Sequence, residues 1–360
     1  MKKRILVMVL GISILGIAGC KTAEQSEKAG GPAPTEEVTL TESPVLTERV
    51  EPTEVPTPTN KAESSVLEDG PFDSEKIRQS GQQIQDYYAW SVLNDNSAAR
   101  KIEVGENIPV ELVMEMESMN DTEVGYMIFV DGVPQTYEIG GKESYLIPLE
   151  CASGISEETL TFTPVVPESK DEYTAYFVCI NRPNFRASED NMDYGNCHSL
   201  SQQLPWIISG DFSKADIVIS KEAVYQPISE EIKEQYTSVN RDGTIRKRYE
   251  NTLYSLFYQN GVETERFEGT DNIQLVLFGG PEGSYRVSLF VDNSPVAAFS
   301  GANYMDVSME KEQMALINFD LSETEISDYS CLYAILCPIS DGEDTVERTI
   351  EKTNSITLFQ

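Results

Sequence analysis

Apolar residues follow two different rhythms along this chain. Ile5 to Ile17 form one run, interrupted only by glycines and Ser13. From about Tyr87 onward they come instead in short β-rich runs separated by turn residues. Tyr254-Ser255-Leu256-Phe257-Tyr258-Gln259 and Val262-Glu263-Thr264-Glu265-Arg266-Phe267 flank Asn260-Gly261. That dipeptide signals a two-residue hairpin, because both positions tolerate positive φ. Further strands are expected at 274–278, 285–291, 304–309, 314–319, 329–336 and 355–359. Strands this closely spaced, with no long helical period, indicate a sandwich or barrel. Only 73–84 and 229–236 carry a brief helical pattern, the second as a connector.

The chain also matches itself. Ser91-Val92-Leu93-Asn94 through Asn107-Ile108 aligns with Leu256-Phe257-Tyr258-Gln259 through Asn272-Ile273 at a constant offset of 165. Phe129-Val130-Asp131-Gly132-Val133-Pro134 aligns with Phe290-Val291-Asp292-Asn293-Ser294-Pro295 at 161, and Ala175-Tyr176-Phe177-Val178 with Leu332-Tyr333-Ala334-Ile335 at 157. A slow drift of offset is what loops of unequal length require, so the pattern reads as a tandem duplication. The expected domains are 81–222 and 249–360, joined by a connector at 223–248, each able to fold alone.

Asp171-Glu172-Tyr173-Thr174-Ala175 in the first copy and Asp328-Tyr329-Ser330-Cys331 in the second precede penultimate strands. Both resemble the corner of immunoglobulin-like domains. The resemblance implies an all-β chain, two tandem immunoglobulin-like β-sandwich domains after a disordered N-terminal tail. No cysteine stands near Leu112 or Leu275, where antibody-type domains place an inter-sheet partner, so the kinship is one of shape.

The apolar run near the start is a different matter. It follows Met1-Lys2-Lys3-Arg4 and holds thirteen residues. As a helix it spans about 20 Å, short of a ~30 Å hydrocarbon core, which reads as a secretory signal. It ends Ile17-Ala18-Gly19-Cys20, which resembles the lipobox of bacterial lipoproteins, with Ile17 where leucine is usual. The resemblance implies removal of 1–19 and a diacylglyceryl group on Cys20. The mature chain would then sit outside the cytoplasm, anchored to the cell membrane by two acyl chains. Residues 20–80 are expected to be a linker. Positions 21–71 lack any aromatic residue and are rich in Thr, Pro, Glu and Ser, so they cannot offset their ordering entropy.

Charge narrows the partners. Loss of Lys2, Lys3 and Arg4 leaves 24 basic against 60 acidic residues. A surface this acidic repels phosphate backbones, which argues against nucleic acid, and it leaves no basic patch for anionic lipid. The acidity serves solubility and hydration, or else it suits Ca²⁺ or a cationic partner. The acidic segment Glu189-Asp190-Asn191-Met192-Asp193-Tyr194-Gly195-Asn196, however, has Met and Tyr where an EF-hand needs oxygen ligands. Five cysteines remain after Cys20, so at least one is unpaired; Cys179 with Cys197 is the one plausible bond. Cys331 and Cys337 lie on one strand, beyond disulfide reach. The single histidine, His198, follows Cys197, and neighbours on a strand face opposite ways, which separates a Cys–His pair; a turn at this segment would instead allow the dyad.

Nothing in this assembles a catalytic group, so binding is the expected function. Tyr88 and Trp90 share a strand face, and Trp206 sits on a late strand with Leu204 and Ile208. Such residues carry contact hot spots or stack on sugars when exposed, and fill cores when not. Trp90 aligns with Ser255, and a shared core position would keep its volume, so Trp90 is expected to face outward or toward the neighbouring domain. The expected partner is an envelope protein or glycan. A hydrolase acting on envelope polymer is the rival reading, and convergent carboxylates in a deep pocket would be its mark.

Overall fold

The computed structural model describes residues 88–93, 100–105, 108–118, 120–188, 194–214, 217–327, 329–339 and 348–359. All belong to one compact unit. The leader, Cys20, the linker to residue 80, the helical pattern at 73–84 and residues 189–193 lie outside the described residues.

The first half runs β1 (Tyr88–Leu93), β2 (Lys101–Glu103), β3 (Val110–Ser118), β4 (Thr122–Val130), β5 (Val133–Gln135), β6 (Tyr137–Ile139) and β7 (Lys142–Ser144). It continues through β8 (Pro148–Cys151), β9 (Gly154–Phe162), β10 (Val165–Val166), β11 (Glu172–Asn181), β12 (Leu200–Gln202), β13 (Trp206–Ser209) and β14 (Ser213–Lys214). One sheet has the order β1-β3-β9-β6-β7, the other β2-β13-β11-β4-β5.

β15 (Ile219–Ser220), inside the expected first domain, and β16 (Val224–Pro227), inside the expected connector, already join the second half's sheets; helix α1 (Glu230–Gln235) and a separate ribbon of β17 (Thr237–Val239) with β18 (Ile245–Lys247) follow. Ser229 caps α1, its hydroxyl accepting from the Ile232 amide, as the expected connector helix requires. The second half begins with β19 (Leu253–Gln259), β20 (Val262–Glu263), β21 (Arg266–Glu268), β22 (Ile273–Gly279), β23 (Gly283–Val291) and β24 (Ser294–Val296). It ends with β25 (Tyr304–Met309), β26 (Gln313–Phe319), β27 (Ser330–Pro338), β28 (Glu351–Lys352) and β29 (Ile356–Phe359). Its sheets are β16-β26-β22-β19-β20 and β15-β25-β23-β27-β29-β21.

The repeat recurs in the pairing. β2 runs parallel to β13 with Ile102 opposite Ile208, and β21 parallel to β29 with Phe267 opposite Leu358. β4 and β11 place Phe129 opposite Tyr176, as β23 and β27 place Phe290 opposite Tyr333. Both halves are immunoglobulin-like sandwiches. Asn260 and Gly261 take φ of 53° and 80°, forming the expected hairpin between β19 and β20. The single strand expected at 262–267 is two. Thr264 Oγ1 bonds the backbone of Arg266 at the break, where the chain leaves one sheet for the other. The corner differs between copies. Tyr173 Oη accepts from the Lys170 amide at 2.7 Å, whereas the equivalent position in the second half is Ser330, whose Oγ accepts from Ser327. Tyr329 sits one place earlier, at φ 64°, against Phe359.

Each sandwich closes on its own core. Leu112, Leu160, Phe177 and Ile208 meet in the first, and Leu275, Phe290's neighbour Leu289, Ile317 and Leu332 in the second. A third cluster joins the halves. Met127, Phe129, Tyr176, Val178 and Ile180 of the first pack with Phe290, Cys331, Tyr333, Ile335 and Cys337 of the second. These side chains project from the opposite faces of β4, β11, β23 and β27, so the sheets stack in four layers, two inner and two outer. Phe129 and Phe290 hold equivalent positions, and their rings meet edge to face at 6.3 Å. The junction therefore has an approximate local two-fold. Each copy docks its own hairpin turn on the other. The Asp131 carbonyl accepts from buried Arg286, while Asn293 Nδ2 donates to the Pro183 carbonyl and Asp292 pairs with Arg186. Gly132, at φ 77°, leaves only 2.8 Å between a would-be Cβ and Arg286 Cβ, so no larger residue fits that turn.

Candidate binding face

The two tryptophans are core residues, which corrects the outward reading of Trp90. Trp90 and Trp206 are 4% and 3% exposed and lie in the first sandwich's core. Trp90 Nε1 donates to Ser201 Oγ at 2.9 Å, and its ring lies 5.6 Å from Tyr126. Trp206 meets Phe177 edge to face. Volume is conserved over a pair of positions and not at one. Trp90 with Val92 in β1 corresponds to Ser255 with Phe257 in β19, large and small exchanged on one core face. For Tyr88 only the strand position is described, opposite Ser118.

All five described cysteines are buried and none is in a disulfide, so the expected Cys179–Cys197 bond is not formed. His198, at φ 61°, meets a different cysteine from its neighbour: Cys331 Sγ lies 3.1 Å from its Nδ1, across the junction. Ser355 Oγ is 3.2 Å from the same nitrogen, and Lys352 Nζ bonds Ser355 and sits 4.5 Å from the Tyr333 ring centre. Burial pushes His198 down to about 3, with Lys352 and Arg186 adding to it, and burial pushes the Cys331 thiol up. The pair rests as neutral imidazole and neutral thiol. A nucleophilic cysteine needs the reverse, a thiolate beside a protonated base.

An open groove of about 650 Å³ is lined by Asp121, Glu123, Glu150, Arg182, Asn184 and Phe185. Two of its three acids hold loops: both Glu123 oxygens accept from Asn184, and Asp121 accepts from the Ser153 amide. Among the described residues, no group of three or more His, Cys, Asp or Glu side chains is placed to hold a metal ion.

The outer faces are where the halves part company. On the first, Glu111, Glu115, Glu117, Glu157 and Glu138 point away from the core, with Glu115 directly opposite Glu157. On the second, the same outward positions carry Tyr254, Leu256 and Tyr258 in β19, Val276 and Phe278 in β22, and Met314 and Leu316 in β26. The connector covers part of this face. Ile228, Ile232 and Tyr249 pack on it, and Tyr236 meets Tyr254 and Phe278 at 4.4 and 5.0 Å. Arg248 lies 5.7 Å over the Tyr236 ring. Tyr254, Leu256, Tyr258 and Leu316 stay half-buried, beside an amide pair in which Gln274 Nε2 donates to Asn318 at 2.8 Å. Burial, then Glu263, pushes the Tyr236 and Tyr258 hydroxyls up, so both remain neutral donors. Aromatic and aliphatic surface next to hydrogen-bonding groups is the composition of a contact patch. The sequence predicts the strand 254–259 but does not turn Tyr254 and Tyr258 outward; their alternation with Ser255 and Phe257 is the signal that separates the two faces.

No protein-family model and no curated protein sequence matches the chain. Among solved structures it is similar to the CsuC–CsuE chaperone–tip adhesion subunit pre-assembly complex of Acinetobacter baumannii. That likeness has 12% identity over 75% of this chain and 99% of that one, with a TM-score of 0.17. It is also similar to fibronectin(III)-like modules of Clostridium thermocellum CbhA, at 11% identity, 75% and 93% coverage and a TM-score of 0.17. At those scores the fold rests on the strand order itself.

Proposed function

We propose that the chain is an extracytoplasmic binding protein, tethered to a membrane by lipid on Cys20, that holds an envelope protein or glycan without chemistry. The observation that carries this reading is the half-buried face of Tyr254, Leu256, Tyr258 and Leu316 beside Gln274 and Asn318. Tyrosine rings offer flat apolar area for a sugar or side chain, and the amides offer donors and acceptors to orient it. The first half's outer face, covered by glutamates, cannot do the same.

The test uses the purified full chain and isolated envelope material. Leu316→Glu is expected to weaken retention about tenfold or more, the scale of a hot-spot residue, while leaving thermal unfolding nearly unchanged. Equal retention by wild type and variant removes this face from the reading, and shortening of the envelope polymer by the wild type favours a hydrolase. Cys20→Ala tests the tether: incorporation of labelled fatty acid is expected to stop.

A further inference from the structure

Among the described residues, the β17–β18 ribbon concentrates positive charge in a strongly acidic chain. Residues 241–248 hold four of its 27 Lys and Arg side chains against a single acid, Asp242. Lys247 is paired with Glu250 and Arg248 lies over Tyr236, but Arg241 and Arg246 are exposed and form no ion pair among the described residues. Val239 and Ile245 face each other across the ribbon and are 71% and 68% exposed. The tip is tightly built. Asn240 donates to the Thr244 carbonyl and hydroxyl, and Asp242 accepts from the Thr244 amide. Arg246 follows Ile245 and so points from the other face of the ribbon, where a rigid backbone presents it, with Arg241 at the turn, to a surface of opposite charge.

The chain carries that surface itself. On the first half's outer sheet, Glu115 stands opposite Glu157, and Glu117 opposite Ile155, which is 67% exposed. Val113 and Leu93 lie alongside, half-buried. None of Glu115, Glu117 and Glu157 forms an ion pair among the described residues, and like charges directly opposite weaken a strand pair. The ribbon lies beyond one outer layer and the glutamates beyond the other, at opposite ends of the four-layer stack, so one copy cannot satisfy both.

We propose that the ribbon of one copy docks on the glutamate-lined outer sheet of a second copy, so that chains associate head to tail. Arg241 and Arg246 meet Glu115 and Glu157, with Arg246 on the face of the ribbon opposite Val239 and Ile245. Such a contact is heterologous and leaves a free ribbon at one end and a free sheet at the other, so it propagates. Screening over about 8 Å at physiological salt confines repulsion between the acidic remainders and leaves the close contact intact. The proposal does not depend on the lipid or on the tyrosine face.

Sedimentation velocity of the full chain in a neutral detergent, over rising protein concentration, tests it. Average mass is expected to rise with concentration, and association to weaken roughly tenfold as salt increases from ~0.05 to ~0.5 M. A chain with Arg241→Glu and Arg246→Glu, and another with Glu115→Lys and Glu157→Lys, should each stay monomeric alone. Mixed, they should associate again, because each supplies what the other lacks. Monomers at every wild-type concentration, self-association of either variant, or a mixture that stays monomeric would overturn the proposal. So would a monomeric wild type that binds anionic vesicles through the ribbon, since that gives the ribbon to a membrane.

Discussion

β3 and β4 follow one another in the chain, yet they obey different rules. β3 alternates, with Val110, Leu112, Met114 and Met116 buried and Glu111, Val113 and Glu115 between them. β4 is buried at all positions but one from Thr122 to Val130. The same contrast separates β26 from β27, whose nine residues are all buried. A strand that alternates has one wet face, and a strand that does not has two dry ones. Inner sheets therefore set stability and outer sheets are free to vary. The molecule uses that freedom, with glutamates on one outer face and tyrosines on the other.

Three experiments bear on this contrast, beginning with the largest effect. Phe290→Asp puts a carboxylate into the dry junction and is expected to cost upwards of ~4 kcal/mol. Both tryptophans lie in the first half, so their fluorescence in a denaturant melt reports whether damage in the second half spreads. An unchanged tryptophan transition means the halves stand alone, and the junction is a contact and not a core.

Acidification attacks the same junction through His198. Its unfolded value is near 6.5 and its folded value about 3. The unfolded chain thus binds a proton that the folded one refuses between those limits. The stabilisation is complete above pH 6.5 and is lost as pH falls from there toward 3, by up to ~4 kcal/mol. Replacing His198 with Gln should flatten the stability profile over that window. A profile just as steep in the variant would assign the acid sensitivity to other groups.

The smallest effect belongs outside. Glu115→Lys turns a like pair with Glu157 into an opposite one and should stabilise by ~0.2–1 kcal/mol. A loss of more than that in thermal melts would mean the outer face is less free than its exposure implies.

Much of the architecture was legible because local signals agreed. Asn260-Gly261 marked the hairpin, and strand spacing marked the sandwich. The block Phe-Val-Asp in both copies marked the repeat, and it proves to hold both the junction ring and the docked turn. The continuous apolar runs of β4, β11, β23 and β27 carried the signal of burial on two sides, but which surface covers the second side is spatial information. The contact face was half legible: alternation separates Tyr254 and Tyr258 from Phe257 without telling which set turns inward. Trp90 misled because its loss of counterpart volume at Ser255 is made good two residues later, at Phe257. His198 and Cys331 are 133 positions apart, and no local pattern links them.

The near two-fold at Phe129 and Phe290 has one more effect. A junction in which equivalent residues meet cannot distinguish its own second half from that of another molecule. What selects the internal partner is the connector, which makes the encounter intramolecular and raises the local concentration of the correct half to the millimolar scale. α1 and the tyrosines pin that connector to the sheet it leads into, which shortens its reach. Lengthening it by flexible residues would dilute the internal partner and open the way to exchange of halves between molecules.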